Sequence, residues 1–155
     1  MRVRRHFKSG QSATELAYSV PLLCLLLLAG TDFARAFYFN QEVVAAARAG
    51  AQYGSQSTAN GGDTTSIKAA AVANAINISG FSASNVTTSF CTCNAPAGTT
   101  ACAASYCNGA NSQASYVSVT ATATFNTLMN YPGIPHTTAM SSTAIMQIQN
   151  QGQQG

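Results

Sequence analysis

Two sets of residues in this 155-residue chain have types and spacings that could do chemistry. The first is Gly10, Gln11 and Glu15, at the junction between a basic leader and an apolar run. Arg2, Arg4, Arg5 and Lys8 precede it with no acid among them. From Ala13 to Gly30 the only ionisable groups are Glu15, Tyr18 and Cys24. A carboxylate inside an apolar segment is costly, so Glu15 is a functional residue by default. The second set is Cys91, Cys93, Cys102 and Cys107, crowded into one loop between two strand-like stretches. In an oxidising compartment four such thiols form two disulfides, with three possible pairings. Cys91 and Cys93 are poor partners for each other, because in a strand they point the same way about 7 Å apart. A four-thiolate zinc site is the competing chemistry. The spacing C-x-C-x8-C-x4-C lacks the paired C-x2-C knuckle, and no cation nearby would stabilise four thiolates, so no metal is assigned.

Little else is available for catalysis. Beyond the leader the only histidine is His136, and beyond residue 42 the only acid is Asp63, which is placed to cap a helix. No base oriented by a third group accompanies the many serines, and no glycine loop could cradle phosphate. The residues argue against an enzyme, and no cofactor is assigned. The net charge of +3 resides in the leader: residues 11–155 hold three cations against four acids. No basic patch is left for nucleic acid. Only 7% of residues are charged, against about a quarter in ordinary soluble domains, and the surplus is small and uncharged polar.

The elements that position these residues follow from period and punctuation. A positive flank before an apolar run orients the N-terminus to the cytoplasm. Eighteen helical residues from Ala13 to Gly30 span about 27 Å, close to the hydrocarbon thickness of about 30 Å. Phe33 and Ala36 to Phe39 extend the apolar surface. With only Pro21 and Gly30 as interruptions before Gly50, one long helix is expected to about Tyr53, kinked near Pro21. Asp32 and Arg35 can pair on it. Val43, Ala47 and Ala51 continue an apolar stripe, and Ala46, Gly50 and Gly54 recur every four residues, where another helix or a sheet can approach. Ser55 to Gly62 reads as a turn-rich linker. Asp63 caps a second helix from Thr64 to about Ser79, ended by Gly80.

From Asn85 the period becomes two: Val86, Thr88 and Phe90 form one strand, and Val117, Val119, Ala121, Ala123 and Phe125 a second, the clearest of all. Ala144, Met146 and Ile148 suggest a last strand, with a proline-fixed loop at 129–135 before it and a frayed tail from Gln149. The fold class is α+β: a long N-terminal transmembrane helix, a short helix, and a small antiparallel sheet with a disulfide-stapled loop. Residues 1–10 form the leader, 11–54 the extended helix and 55–155 an α+β domain beyond the membrane.

A secretory signal cut after Ala34-Arg35-Ala36 is a weaker reading, because Glu15 interrupts the front of the apolar region and Asp32 lies before the cut. A plain uncleaved anchor is compatible with hydropathy alone. The full pattern is more specific than either. Gly10-Gln11-Ser12-Ala13-Thr14-Glu15-Leu16-Ala17, Pro21-Leu22-Leu23, Asp32-Phe33-Ala34-Arg35-Ala36 and Ala46 to Tyr53 resemble the TadE-like minor pseudopilins of tight-adherence (Flp) type IV pilus systems. The resemblance covers the first third of the chain closely. It departs at Leu16, where such systems often carry an aromatic residue. It implies cutting after Gly10 by a prepilin peptidase on the cytoplasmic side, which leaves Gln11 as the new N-terminus and Glu15 as its fifth residue. It further implies assembly with other pseudopilins and pilin subunits, in contact with inner-membrane lipid. The protein would be single-pass, its N-terminus cytoplasmic and its C-terminal domain periplasmic, and could enter an extracellular pilus. A surface-anchored adhesin using the cysteine loop is the alternative.

Overall fold

The computed structural model describes residues 9–93, 100–107, 114–129 and 133–149. The leader cations Arg2, Arg4, Arg5 and Lys8, part of the proline loop (130–132) and the tail from residue 150 lie outside the described residues. Helix α1 (Ser9–Ser55) runs through Pro21 without interruption. It is followed by α2 (Thr58–Gly62), α3 (Thr64–Asn74), and strands β1 (Val86–Thr92), β2 (Ser115–Asn126) and β3 (Thr137–Gln147). The strands form one antiparallel sheet in the order β1-β2-β3. The chain divides at Ala36/Phe37 into two compact units.

In the first unit, the leucines of α1 are exposed on every side, from Leu16 to Leu28. A helix that is apolar all round belongs to a core or a membrane. This one is long and apolar enough to cross a membrane. Its polar members are satisfied locally: Ser19 Oγ donates to Glu15 O at 2.8 Å, and Thr31 Oγ1 to Leu27 O at 2.8 Å. Asp32 is buried and receives Arg35 Nη1 at 3.0 Å, the pairing expected from their spacing.

In the second unit the core is built on the seam between α1 and β2. Val43, Ala46, Ala47 and Ala51 are buried on α1, and Val117, Val119, Ala121, Ala123 and Phe125 on β2. The row of small residues has its partner here: it is the sheet, together with α3. A Cβ at Gly50 would stand 3.1 Å from Val119 Cγ1 and 3.2 Å from Ile67 O. One at Gly54 would stand 3.0 Å from Val117 Cγ2. The alternation of β2 is realised residue by residue, apolar side chains inward and Ser118, Thr120, Thr122 and Thr124 away from the core.

Three boundaries differ from expectation. The linker contains the short helix α2, capped by Ser57, whose hydroxyl accepts from Asn60 N at 3.1 Å. Helix α3 is capped by Asp63 as expected but stops at Asn74 rather than near Ser79. Beyond it the chain tightens into three-residue turns, Ile78 N to Ala75 O at 3.2 Å and Phe81 N to Ile78 O at 3.2 Å. Two asparagines and two β-branched isoleucines make residues 74–78 poor helix formers. The tighter path also lets both Ala75 and Ile78 reach the core. Gly80 does take a positive φ of 76°, in the turn that follows. Strand β3 begins at Thr137, well before Ala144. Its polar first half pairs with β2 through Thr143–Thr120 (2.8 Å) and Thr122–Ser141 (3.4 Å) hydroxyl contacts.

Gly54→Leu should lower stability by about 1–3 kcal/mol, the cost of overpacking a filled core, despite leucine's better helix propensity. Urea unfolding of the full chain in detergent, followed by near-UV circular dichroism, measures it; an unchanged midpoint would contradict the tight seam.

Candidate functional site

The N-terminal set is carried by the first turns of α1. Gly10, Gln11 and Glu15 all lie within the helix, and Glu15 is exposed. Among the described residues, no side-chain hydrogen bond or ion pair engages this carboxylate. In water it costs nothing; at the edge of a bilayer it needs a cation. Its position one turn past Gly10 leaves it close to any new N-terminus created beside that glycine. Cys24, on the same apolar surface, is a free thiol.

The cysteine set is consumed in two disulfides, Cys91–Cys102 and Cys93–Cys107, with Cα separations of 4.9 and 5.7 Å. The structure thus selects one of the three pairings, and Cys91 and Cys93 take different partners. Both lie at the end of β1, where Cys91 stands opposite Tyr116 and Cys93 N donates to Ala114 O at 2.8 Å. The loop's return leg runs beside the outer edge of β1: Thr92 N donates to Thr100 O at 3.1 Å and Cys102 N to Thr92 O at 3.4 Å. Tyr106 leans on Tyr116 with ring centroids 5.9 Å apart. The sulfurs of Cys93, Cys102 and Cys107 lie within 4.8 Å of one another. All three are oxidised, so they cannot act as a thiolate ligand set for zinc.

His136 sits at the base of the β2–β3 loop. Thr127 Oγ1 donates to Met129 O at 2.8 Å and lies 2.9 Å from His136 Nδ1, within hydrogen-bond distance. Thr127 N donates to His136 O at 3.0 Å. This histidine clasps a loop and has no nucleophile or acid poised on it among the described residues.

Asn77 joins two elements that are distant in sequence. Its amide donates to Tyr38 Oη at 2.9 Å and to Glu42 Oε1 at 3.1 Å, tying the turns after α3 to α1. Only the break in helix periodicity around Asn74 and Asn77 could have signalled it. Asp63 holds the start of α3 by accepting from Thr65 N and Ser66 N, both at 3.1 Å. The side-chain and backbone hydrogen bonds from Ser66 hold its carboxyl below the usual aspartate range.

Residues 10–52 match the family model described as TadE-like protein. No curated protein and no solved structure matches the chain.

Removing either disulfide, by Cys91→Ser with Cys102→Ser or Cys93→Ser with Cys107→Ser, should cost about 2–4 kcal/mol, since each closes a loop whose entropy it removes from the unfolded chain. Non-reducing peptide mapping should recover the two pairings above; a Cys91–Cys107 peptide would contradict them. A depressed folded-state pKa at Asp63 stabilises the fold above the unfolded aspartate pKa, and that stability fades as pH falls through the folded value. Asp63→Ala should therefore lower the unfolding midpoint at pH 7 and by less at pH 3; an equal loss at both would assign it to packing.

Proposed function

We propose that this chain, TadE-like through its residues 10–52, is a minor pseudopilin that primes, caps or regulates assembly of a tight-adherence pilus. The observation that carries the reading is the pairing of Gly10 with an exposed Glu15 at the head of an apolar helix. The family match begins at that same glycine. In this reading residues 1–10 are a cytoplasmic leader and 11–54 an inner-membrane and extended helix. Residues 55–155 are then a periplasmic domain, a placement supported by the two disulfides. A prepilin peptidase cuts after Gly10. The amine so exposed on Gln11 pairs with Glu15 of a neighbouring subunit, coupling processing to assembly. The chain is not an enzyme in this reading: Asp32 pairs with Arg35, Glu42 accepts from Asn77, Asp63 caps α3, Glu15 serves assembly, and His136 clasps a loop.

Co-expression with a cognate prepilin peptidase should shorten the chain by its first ten residues, read as an N-terminal mass beginning at Gln11. Gly10→Val should block the cut, because glycine permits close approaches that a branched residue does not. An intact chain, or one beginning at Phe37, would refute processing here.

Glu15→Leu separates an assembling subunit from a plain anchor. Unpaired and ionised, an acid costs about 2.5–3.5 kcal/mol at the helix centre on insertion scales, and less near the end. An anchor is therefore improved or unaffected by the change. Where the carboxylate meets an amine in low dielectric, removing one partner costs about 3–5 kcal/mol. A strain carrying only Glu15→Leu should insert the protein normally and fail to build pili. Normal piliation with normal insertion would favour the surface-anchored binding module instead.

A further inference from the structure

We propose that the four cysteines beside β1 form an internal thiol–disulfide exchange relay. When Cys91–Cys102 is opened, the Cys102 thiolate attacks Cys93, forms Cys93–Cys102 and releases the Cys107 thiolate. The return leg stays stapled to the end of β1, and the free thiol moves out to Cys107.

The sulfurs of the two bridges are close enough for this. The Sγ atoms of Cys93, Cys102 and Cys107 lie within 4.8 Å of one another, although Cys102 belongs to one bridge and the other two to the second. Cys91 stands outside that group. Main-chain contacts hold the same residues together independently of the bridges. Thr92 N donates to Thr100 O at 3.1 Å, Cys102 N to Thr92 O at 3.4 Å, and Ala101 pairs with Thr92 as a parallel bridge. Opening Cys91–Cys102 therefore leaves Cys102 anchored beside Cys93. Cys91 remains in the ladder, opposite Tyr116.

Burial sets the direction of the exchange. The sulfur that leaves is the one whose thiolate is better supported, and burial disfavours a thiolate. Cys93 is 3% exposed, whereas Cys102 and Cys107 are half-buried. Attack on Cys93 expels Cys107 towards water; attack on Cys107 would expel a buried thiolate. No Asp, Glu, Lys or Arg occurs from residue 69 onward, so no charged side chain of the strands or the loop reverses this ranking. The titratable neighbours are phenols: Tyr106 precedes Cys107, and its ring leans on Tyr116. In the step itself the Cys93–Cys107 bond breaks as Cys93–Cys102 forms. The electron pair leaves on Cys107, which then takes a proton from water. The first opening is supplied by an external dithiol, which is oxidised to its disulfide as Cys91 and Cys102 are reduced.

Two variants of the full-length chain in detergent test the relay, each with Cys24→Ser to remove the other free thiol. Cys91→Ser leaves Cys102 as the odd thiol. Maleimide labelling and non-reducing peptide mapping should then find a Cys93–Cys102 peptide and label on Cys107. Cys102→Ser leaves Cys91 as the odd thiol, and should keep Cys93–Cys107 intact with label on Cys91 alone. Label confined to Cys102 in the first variant would overturn the proposal, as would label on Cys93. Cys91 bridged to Cys93 or Cys107 in the second would also overturn it, because proximity would no longer single out Cys102. The chain with only Cys24→Ser provides a check that does not depend on either variant folding. It is opened with a limiting amount of a phosphine at pH 3, where protonated thiols stall exchange, then moved to pH 6 or pH 7 and trapped with maleimide after increasing delays. Label should pass from Cys102 to Cys107 with delay, about tenfold faster at pH 7 than at pH 6, as the thiolate fraction of a thiol of pKa about 8.5 rises. Label that stays on Cys91 and Cys102 at every delay would overturn the relay.

Discussion

The close approach of α1 to β2 is the constraint on which the second unit depends. A helix and a strand can share a seam this tight only where the helix offers hydrogen or methyl. Ala46, Ala47, Gly50, Ala51 and Gly54 do so while the strand supplies Val117 and Val119. Larger side chains on the helix would push the sheet outward and leave Ile67 and Val86 without neighbours. The small residues give up apolar area of their own, and the strand's branched side chains recover it by packing directly on the helix backbone. With only 16.0 kDa and a third of the chain in one helix, the core has few large side chains to spend. Two disulfides close the part of the sheet farthest from the α1 entry, where the aliphatic packing thins out.

One helix thus carries two kinds of surface. From Val20 to Gly30 its side chains are apolar on all sides, and Ser19 and Thr31 at the borders bond back to the preceding turn. Such bonds satisfy hydroxyls where water is absent. From Val43 onward only one face is apolar, and Arg48 and Gln52 are exposed. Between these regimes stand Asp32 and Arg35, the first charges after the apolar run. Their i,i+3 pairing neutralises the transition, with Asp32 itself almost fully withdrawn from solvent.

Sequence period was readable wherever burial was one-sided or complete. The strict alternation at 117–125 specified which face of β2 enters the core, and Asp63 marked the start of α3 through its capping chemistry. What escaped reading depends on partners distant in sequence. Thr137 to Thr143 carry almost no hydrophobic signal, and they become a strand because β2 offers them a ladder. The end of α3 is decided by where Ala75 and Ile78 find the core, not by Gly80. The cysteine pairing was open in sequence because it depends on the return leg along β1, a contact that no local pattern encodes. At the N-terminus the position is reversed: Gly10 and Glu15 were legible as a motif, and the helix adds chiefly that the carboxylate is exposed.

The two edges of the sheet are treated differently. The β1 side holds Cys91–Cys102 and Cys93–Cys107, with the return leg laid along the β1 edge through Thr92 and Thr100. An exposed strand edge is a template for unwanted pairing, and a tethered return leg occupies part of this one. Edge protection of this kind depends on oxidation of the four cysteines. On the opposite side, β3 presents an uncharged outer edge from Thr137 to Gln147 and, among the described residues, pairs only with β2. The sheet is therefore asymmetric: one edge is partly closed by a disulfide-tethered return leg, and the other is left to its polar side chains. Within the assembly reading, that asymmetry gives a subunit one edge more available than the other for neighbouring strands, with the disulfide loop limiting growth on the β1 side.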